Sequence, residues 1–78
     1  MTTKVKIVGV AGTATIEVED GHTARDVLIG AAEQFGLPTP EKTVEKLSAV
    51  ADGQTVGLDE PLPAETSEVA GAPQVRLG

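Results

Sequence analysis

The sequence predicts an α+β domain in which one main helix lies across one face of a mixed sheet of four to five strands. Three observations carry this. Ala24, Val27, Leu28, Ala31, Ala32 and Phe35 recur at i, i+3, i+4, i+7, i+8 and i+11, one continuous helical stripe. Asp52-Gly53 is a tight-hairpin signal between two short apolar runs. The order of patterns is hairpin, helix, hairpin, loop, final strand, which a two-layer arrangement satisfies without leaving an apolar stripe uncovered.

Each element has its own signature. Residues 4–10 read as a strand because Val5, Ile7, Val8 and Val10 are β-branched and suit a pleated surface. Ala11-Gly12-Thr13 supplies a turn, and 14–19 alternates with Ile16 and Val18 inward and Thr15, Glu17 and Glu19 outward. Thr23 is the predicted helix N-cap, with Asp26 three residues on to complete a capping box. The helix runs over 24–35, with Arg25, Glu33 and Gln34 facing water, and Gly36 then Pro38 mark its end. At 40–46 two readings stay open. One is a short helix capped by Thr39 with Pro40 at its first position; the other is a loop leading into a strand. Residues 47–51 and 54–57 form the second hairpin. Leu58 and Leu62 plug the core from a long loop over 58–73, and 74–77 is the last strand, with Val75 and Leu77 on one face.

Composition narrows the function. A chain of 78 residues is a single domain, 1–78, and buries only about 60–65% of the surface its unfolded chain exposes, leaving little room for a catalytic cleft beside a core. The absence of cysteine excludes a disulfide framework, a thiolate zinc site and a cysteine-ligated cluster, and the single histidine, His22, excludes a multi-histidine metal site. A net charge of −6 disfavours nucleic acid and anionic membranes and favours basic partners. One aromatic, Phe35, makes no base-stacking platform. No apolar run reaches the ~20 residues of a membrane span, and the N-terminal pattern lacks a signal-peptide core, so a cytoplasmic protein is expected.

The order of elements resembles the β-grasp superfamily, which includes ubiquitin and the bacterial sulfur carriers. Two stretches sharpen the resemblance. Residues 51–62, Ala-Asp-Gly-Gln-Thr-Val-Gly-Leu-Asp-Glu-Pro-Leu, look like a segment of molybdopterin-synthase small subunits and thiamine sulfur carriers, where an Asn-Gly or Asp-Gly turn precedes Val and an Asp-x-Pro-Leu-like step. Residues 68–78, Glu-Val-Ala-Gly-Ala-Pro-Gln-Val-Arg-Leu-Gly, are similar to the tail of that group. The resemblance implies a ubiquitin-like fold and a protein partner, an adenylating enzyme that activates the carboxylate of Gly78. Two departures stand out. Gly71-Ala72 replaces an apolar pair, which would anchor the last strand less firmly, and Leu77 stands where the family has its penultimate glycine, putting a branched side chain into a channel that takes an extended, side-chain-free peptide. The plain alternative is a frayed terminal glycine.

Other features favour plain structural readings. His22 lies in a turn between Gly21 and Thr23 with no nucleophile arrangement beside it. The acidic groups Glu17, Glu19, Asp20 and Asp59, Glu60, Glu65, Glu68 match no calcium-loop spacing and read as solvated surface. Gly9-Val10-Ala11-Gly12 lacks the lysine and following helix of a phosphate loop. No catalytic residue, cofactor site or metal site is assigned, and an enzyme is not expected. The candidate binding residues are Val8, Val10, Val50 and Val75 on the sheet face away from the helix, rimmed by Lys4, Lys6 and Arg76, together with the tail Leu77-Gly78. Which strand face points outward stays open, because a one-residue register shift exchanges them. The function predicted is a small ubiquitin-like protein-binding module, with a modifier or sulfur-carrier role through the tail as its sharper form. The alternative is a structural or assembly protein that docks into a larger complex without tail chemistry.

Overall fold

The computed structural model describes residues 2–19, 21–63 and 65–73. Its elements in chain order are β1 (Thr2–Ile7), β2 (Ala14–Glu17), α1 (Ala24–Gln34), α2 (Pro40–Glu45), β3 (Leu47–Ala51), β4 (Gln54–Val56) and β5 (Glu68–Pro73). The five strands form one mixed sheet in the order β2-β1-β5-β3-β4. β1 and β5 run parallel at its centre, and the other neighbours are antiparallel. The α+β class, the mixed sheet and the helix packed on one face are as the sequence predicts.

Helix α1 is set by its ends as much as by its stripe. Thr23 Oγ1 accepts from the backbone N–H of Asp26 at 3.3 Å, and the Asp26 carboxylate accepts from the Thr23 N–H at 3.2 Å, a complete capping box. At the other end the N–H groups of Gly36 and Leu37 donate to the carbonyls of Glu33 and Ala32, both at 3.0 Å. That is a Schellman arrangement, and it requires the left-handed backbone that Gly36 adopts at φ 73°. Between the caps, Ala24, Val27, Leu28, Ala31 and Ala32 are buried and Phe35 is half-buried.

The strands meet that stripe by alternation. Thr3, Val5 and Ile7 of β1, Leu47, Ala49 and Ala51 of β3, and Val69 and Gly71 of β5 all point toward the helix. Gly71 lies where the helix comes closest. A Cβ there would stand 2.9 Å from Leu47 Cδ1 and 3.2 Å from Leu28 Cδ2. Leu28 is fully buried, which is worth about 1.5–3 kcal/mol for a side chain of its size, and it packs into the space a side chain at 71 would occupy. Gly71 is thus a seat for the helix, whereas comparison with an apolar pair suggested a weak anchor.

Several boundaries differ from the sequence reading, and the choice left open at 40–46 falls to the helix. β1 ends at Ile7, because Val10 N–H turns back to the Ile7 carbonyl at 3.1 Å and the chain leaves the sheet. β2 ends at Glu17 although Val18 stays buried. The segment over 40–46 is helical at Pro40–Glu45. Pro40 opens it, but Thr39 caps nothing with its side chain and sits at φ 45°, a rare conformation for a β-branched residue. Most consequentially, the central strand is Glu68–Pro73, within what reads as loop, and the predicted strand over 74–77 lies outside the described residues. Weak β-formers make this strand because both neighbours pair with it: Val5 faces Val69 on one side and Ala51 faces Val69 on the other.

Pro73 ends the parallel pairing. Lys4 N–H donates to Ser67 O and Val8 N–H to Gly71 O, so by alternation residues 69, 71 and 73 turn their nitrogens toward β1. Pro73 has no N–H to offer, and β1 has already turned away there.

Two stability changes follow. Thr3 is 1% exposed and its hydroxyl has no partner among the described residues, so Thr3→Val, of nearly the same shape, should stabilise by about 1 kcal/mol, a rise of roughly 4–8 °C in a thermal melt. Gly71→Val should cost about 1–3 kcal/mol by overpacking against Leu28 and Leu47, read as a lower denaturation midpoint with unchanged slope.

Candidate docking surface

The alternation that fills the helix side also fixes what the other side shows. β1 presents Lys4 and Lys6; β5 presents Glu68, Ala70 and Ala72; β3 presents Ser48 and Val50. The register aligns them in rows across the strands. Thr15, Lys4 and Glu68 form one row; Lys6, Ala70, Val50 and Thr55 form the next; Ala72 and Ser48 begin a third. The centre of this face is therefore lined by small side chains, with Lys4 and Lys6 along one side and Val50 and Thr55 along the other. Lys6 Nζ lies 3.9 Å from Glu68 Oε1, a loose and exposed ion pair worth at most about 1 kcal/mol.

Past Ile7 the chain adds to this surface. Val8 is held to β5 by its 2.9 Å N–H bond to the Gly71 carbonyl, and its side chain is 53% exposed. A groove runs beside it, lined by Lys6, Val8, Val10, Gly12, Thr13 and Ala70 among others. Of the residues singled out from sequence, Val8 and Val10 come together in this groove, Val10 half-buried against the edge of the core. Val50 lies on the same open face, in the row that begins with Lys6. Val75, Arg76, Leu77 and Gly78 lie outside the described residues. The residues missed by sequence reading are Ser48, Ala70 and Ala72. The alternation of Val69 and Gly71 against Glu68, Ala70 and Ala72 was the available signal, hidden by the weak strand propensity of Ala and Gly.

The face is held in place by contacts behind and beside it. Asp52, at φ 48°, and Gly53, at φ 85°, form the β3–β4 turn. The Asp52 carboxylate accepts from the N–H groups of Glu68 at 2.9 Å and Ser67 at 3.1 Å, while its own N–H donates to the Glu68 carbonyl at 3.0 Å. One residue thus makes the turn and fixes where β5 begins. On the helix side, Arg25 does not simply face water. It is half-buried, donates from Nε to Asp59 Oδ1 at 3.0 Å and lies 3.6 Å from Glu45. The hydrogen bond to Asp59 holds its guanidinium above the ordinary value, so it stays charged. Arg25 N–H also donates to Leu58 O, and Leu62 N–H to His22 O, both at 2.9 Å, which fastens the loop over the helix start. His22 Nδ1 accepts from the Glu19 N–H at 3.2 Å, so the ring serves its own turn. Gln34 is exposed as expected, and its amide donates to the Thr15 carbonyl at 3.1 Å.

Among the described residues no group of three or more metal-binding side chains converges, and no described helix is long and apolar enough to cross a membrane. No protein-family model and no curated protein matches the chain.

Asp52→Ala removes two acceptor bonds and forces alanine into the left-handed region, so it should cost about 2 kcal/mol. Asp52→Asn keeps the turn and one acceptor and should recover roughly half of that, as measured by urea denaturation.

Proposed function

We propose that this domain is a ubiquitin-like β-grasp module that works by docking to another protein through the open face of its sheet, and that it carries out no reaction of its own. The observation that carries this reading is the uncovered face itself. A sheet with a helix on one side leaves its other side to solvent. Here that side is centred on Ala70, Ala72, Ser48 and Val50, and the exposed Val8 stands at its end. Apolar surface of this kind, bordered by charge, is the usual mark of an interface. The strand order, with parallel β1 and β5 between two hairpins, supports the β-grasp assignment, since ubiquitin-like domains share it. Its setting is taken to be cytoplasmic.

The finer reading is that of a modifier or sulfur carrier whose Gly78 is activated by an adenylating enzyme. It rests on the likeness of residues 51–62 and 68–78 to the sulfur-carrier group, and Leu77 weighs against it. Incubation with ATP and an adenylating enzyme, followed by intact-mass measurement, separates the two. An adenylate or thiocarboxylate at Gly78 supports the carrier. Silence from both the wild type and Leu77→Gly leaves a docking subunit without tail chemistry.

The docking reading has its own test. A photo-crosslinking side chain placed at Val8 or Val50 should trap one discrete protein, and the same group at Glu33 on helix α1 should not. Val50→Asp should abolish the adduct formed from position 8, and Val8→Asp that formed from position 50, while leaving the circular-dichroism spectrum intact. An adduct that survives both substitutions, or that forms equally from Glu33, would sink the proposal.

A further inference from the structure

The open face is not evenly shaped or evenly charged. Past Glu68, β5 carries only the methyl groups of Ala70 and Ala72 on that side. The strand beside it rises higher, because Lys4 and Lys6 project from alternate positions of β1, and Val8 follows in the turn that leaves it. On the far side stand Val50 and Thr55. The result is a trough along β5, one strand spacing of about 4.8 Å from each wall. Its β1 wall carries two ammonium groups about 6.6 Å apart, the repeat of alternate residues in a strand, with the isopropyl group of Val8 beyond them at the turn.

The charge of this wall opposes that of the chain. The protein carries a net −6, yet two of its six basic residues stand side by side here. Two carboxylates share the face. Glu17 lies at its edge opposite Thr2, away from the trough. Glu68 stands beside Lys4 in register and its carboxylate lies 3.9 Å from the Lys6 ammonium, a loose pair that an incoming carboxylate can replace. Among the described residues, none that lines the groove past Val8 is acidic.

Resting on the docking role proposed above, we infer that the trough takes an extended segment of a protein partner carrying carboxylates at two alternate positions and an aliphatic side chain at the next alternate position. The carboxylates pair with Lys4 and Lys6, and the aliphatic group enters the groove between Val8, Val10 and Ala70. The small floor lets the partner backbone approach the sheet closely. The long-range field of an acidic chain repels such a segment, so discrimination comes from the local match.

The test uses ¹⁵N-labelled full-length protein and two capped peptides, Thr-Glu-Thr-Glu-Thr-Leu-Thr and Thr-Lys-Thr-Lys-Thr-Leu-Thr. The acidic peptide should shift the amides of Lys6, Val8, Val50 and Ala70 and leave those of Glu33 and Glu41 in place. Lys4→Glu with Lys6→Glu should weaken its binding about tenfold or more at low salt. Ala70→Gln, which fills the floor without changing charge, should weaken it as well. Three results overturn the inference. Equal shifts from the basic peptide would keep the face as a docking surface but refute the acidic partner. No shift at the trough amides from either peptide would refute the segment, and the crosslinking at Val8 and Val50 then decides the docking role separately. Concentration-dependent shifts of these amides in the protein alone would make a second copy the occupant.

Discussion

The structure depends on the close approach of helix α1 to strand β5 at Gly71. Leu28 and Leu47 occupy the volume that any side chain at this position would need. In a domain of 78 residues the core is small, and the fit of a few large groups decides how much apolar surface leaves water. Among the described leucines only Leu28, Leu47 and Leu62 are buried, so the helix must sit low on the sheet to bring Val5, Val27, Val44 and Val69 into contact with them. The alanines at 24, 31, 32 and 49 serve the same end, since each lets backbone approach backbone.

Central placement of such a sparse strand has a second effect. β5 is paired on both sides, so its hydrogen bonds, more than its side chains, hold it in the sheet. Its outward residues are then free to be small, and this makes the open face concave. Asp52 and Pro73 set the limits of the strand. The first accepts from the N–H groups where it begins, and the second withholds a donor where β1 departs.

Legibility in the sequence followed the range of the interaction. The capping box of Thr23 and Asp26, the glycine at 36 and the Asp52-Gly53 turn are local chemistry. The helix and both hairpins could be read from them, because partners within four residues are visible in one dimension. The position of β5 was not. Glu-Val-Ala-Gly-Ala-Pro has low strand propensity, and its partners lie in β1 and β3. The same holds for Arg25, whose partners Asp59 and Glu45 are remote in sequence, and for the second role of Asp52. For the candidate face, Val8, Val10 and Val50 were found by their type. Which way they point needed the register, and Ala70, Ala72 and Ser48 escaped because small residues announce no surface. Val75, Arg76, Leu77 and Gly78 stand where the described residues end.

The parallel pairing of β1 with β5 also sets an order of events in folding. Lys4 meets Glu68 across almost the whole chain, while each hairpin closes over a few residues. β1 and β3 are not neighbours, and only β5 joins them within the sheet. Until the last part of the chain is made, a nascent polypeptide can hold two hairpins and a helix but no continuous sheet. During that interval β1 and β3 each offer a bare edge, the kind of template on which chains mispair. Long sequence separation slows closure, so the inner edges stay open longest in a chain cut short before residue 68. The strand that floors the open face is therefore also the seal that protects the young chain from its own copies.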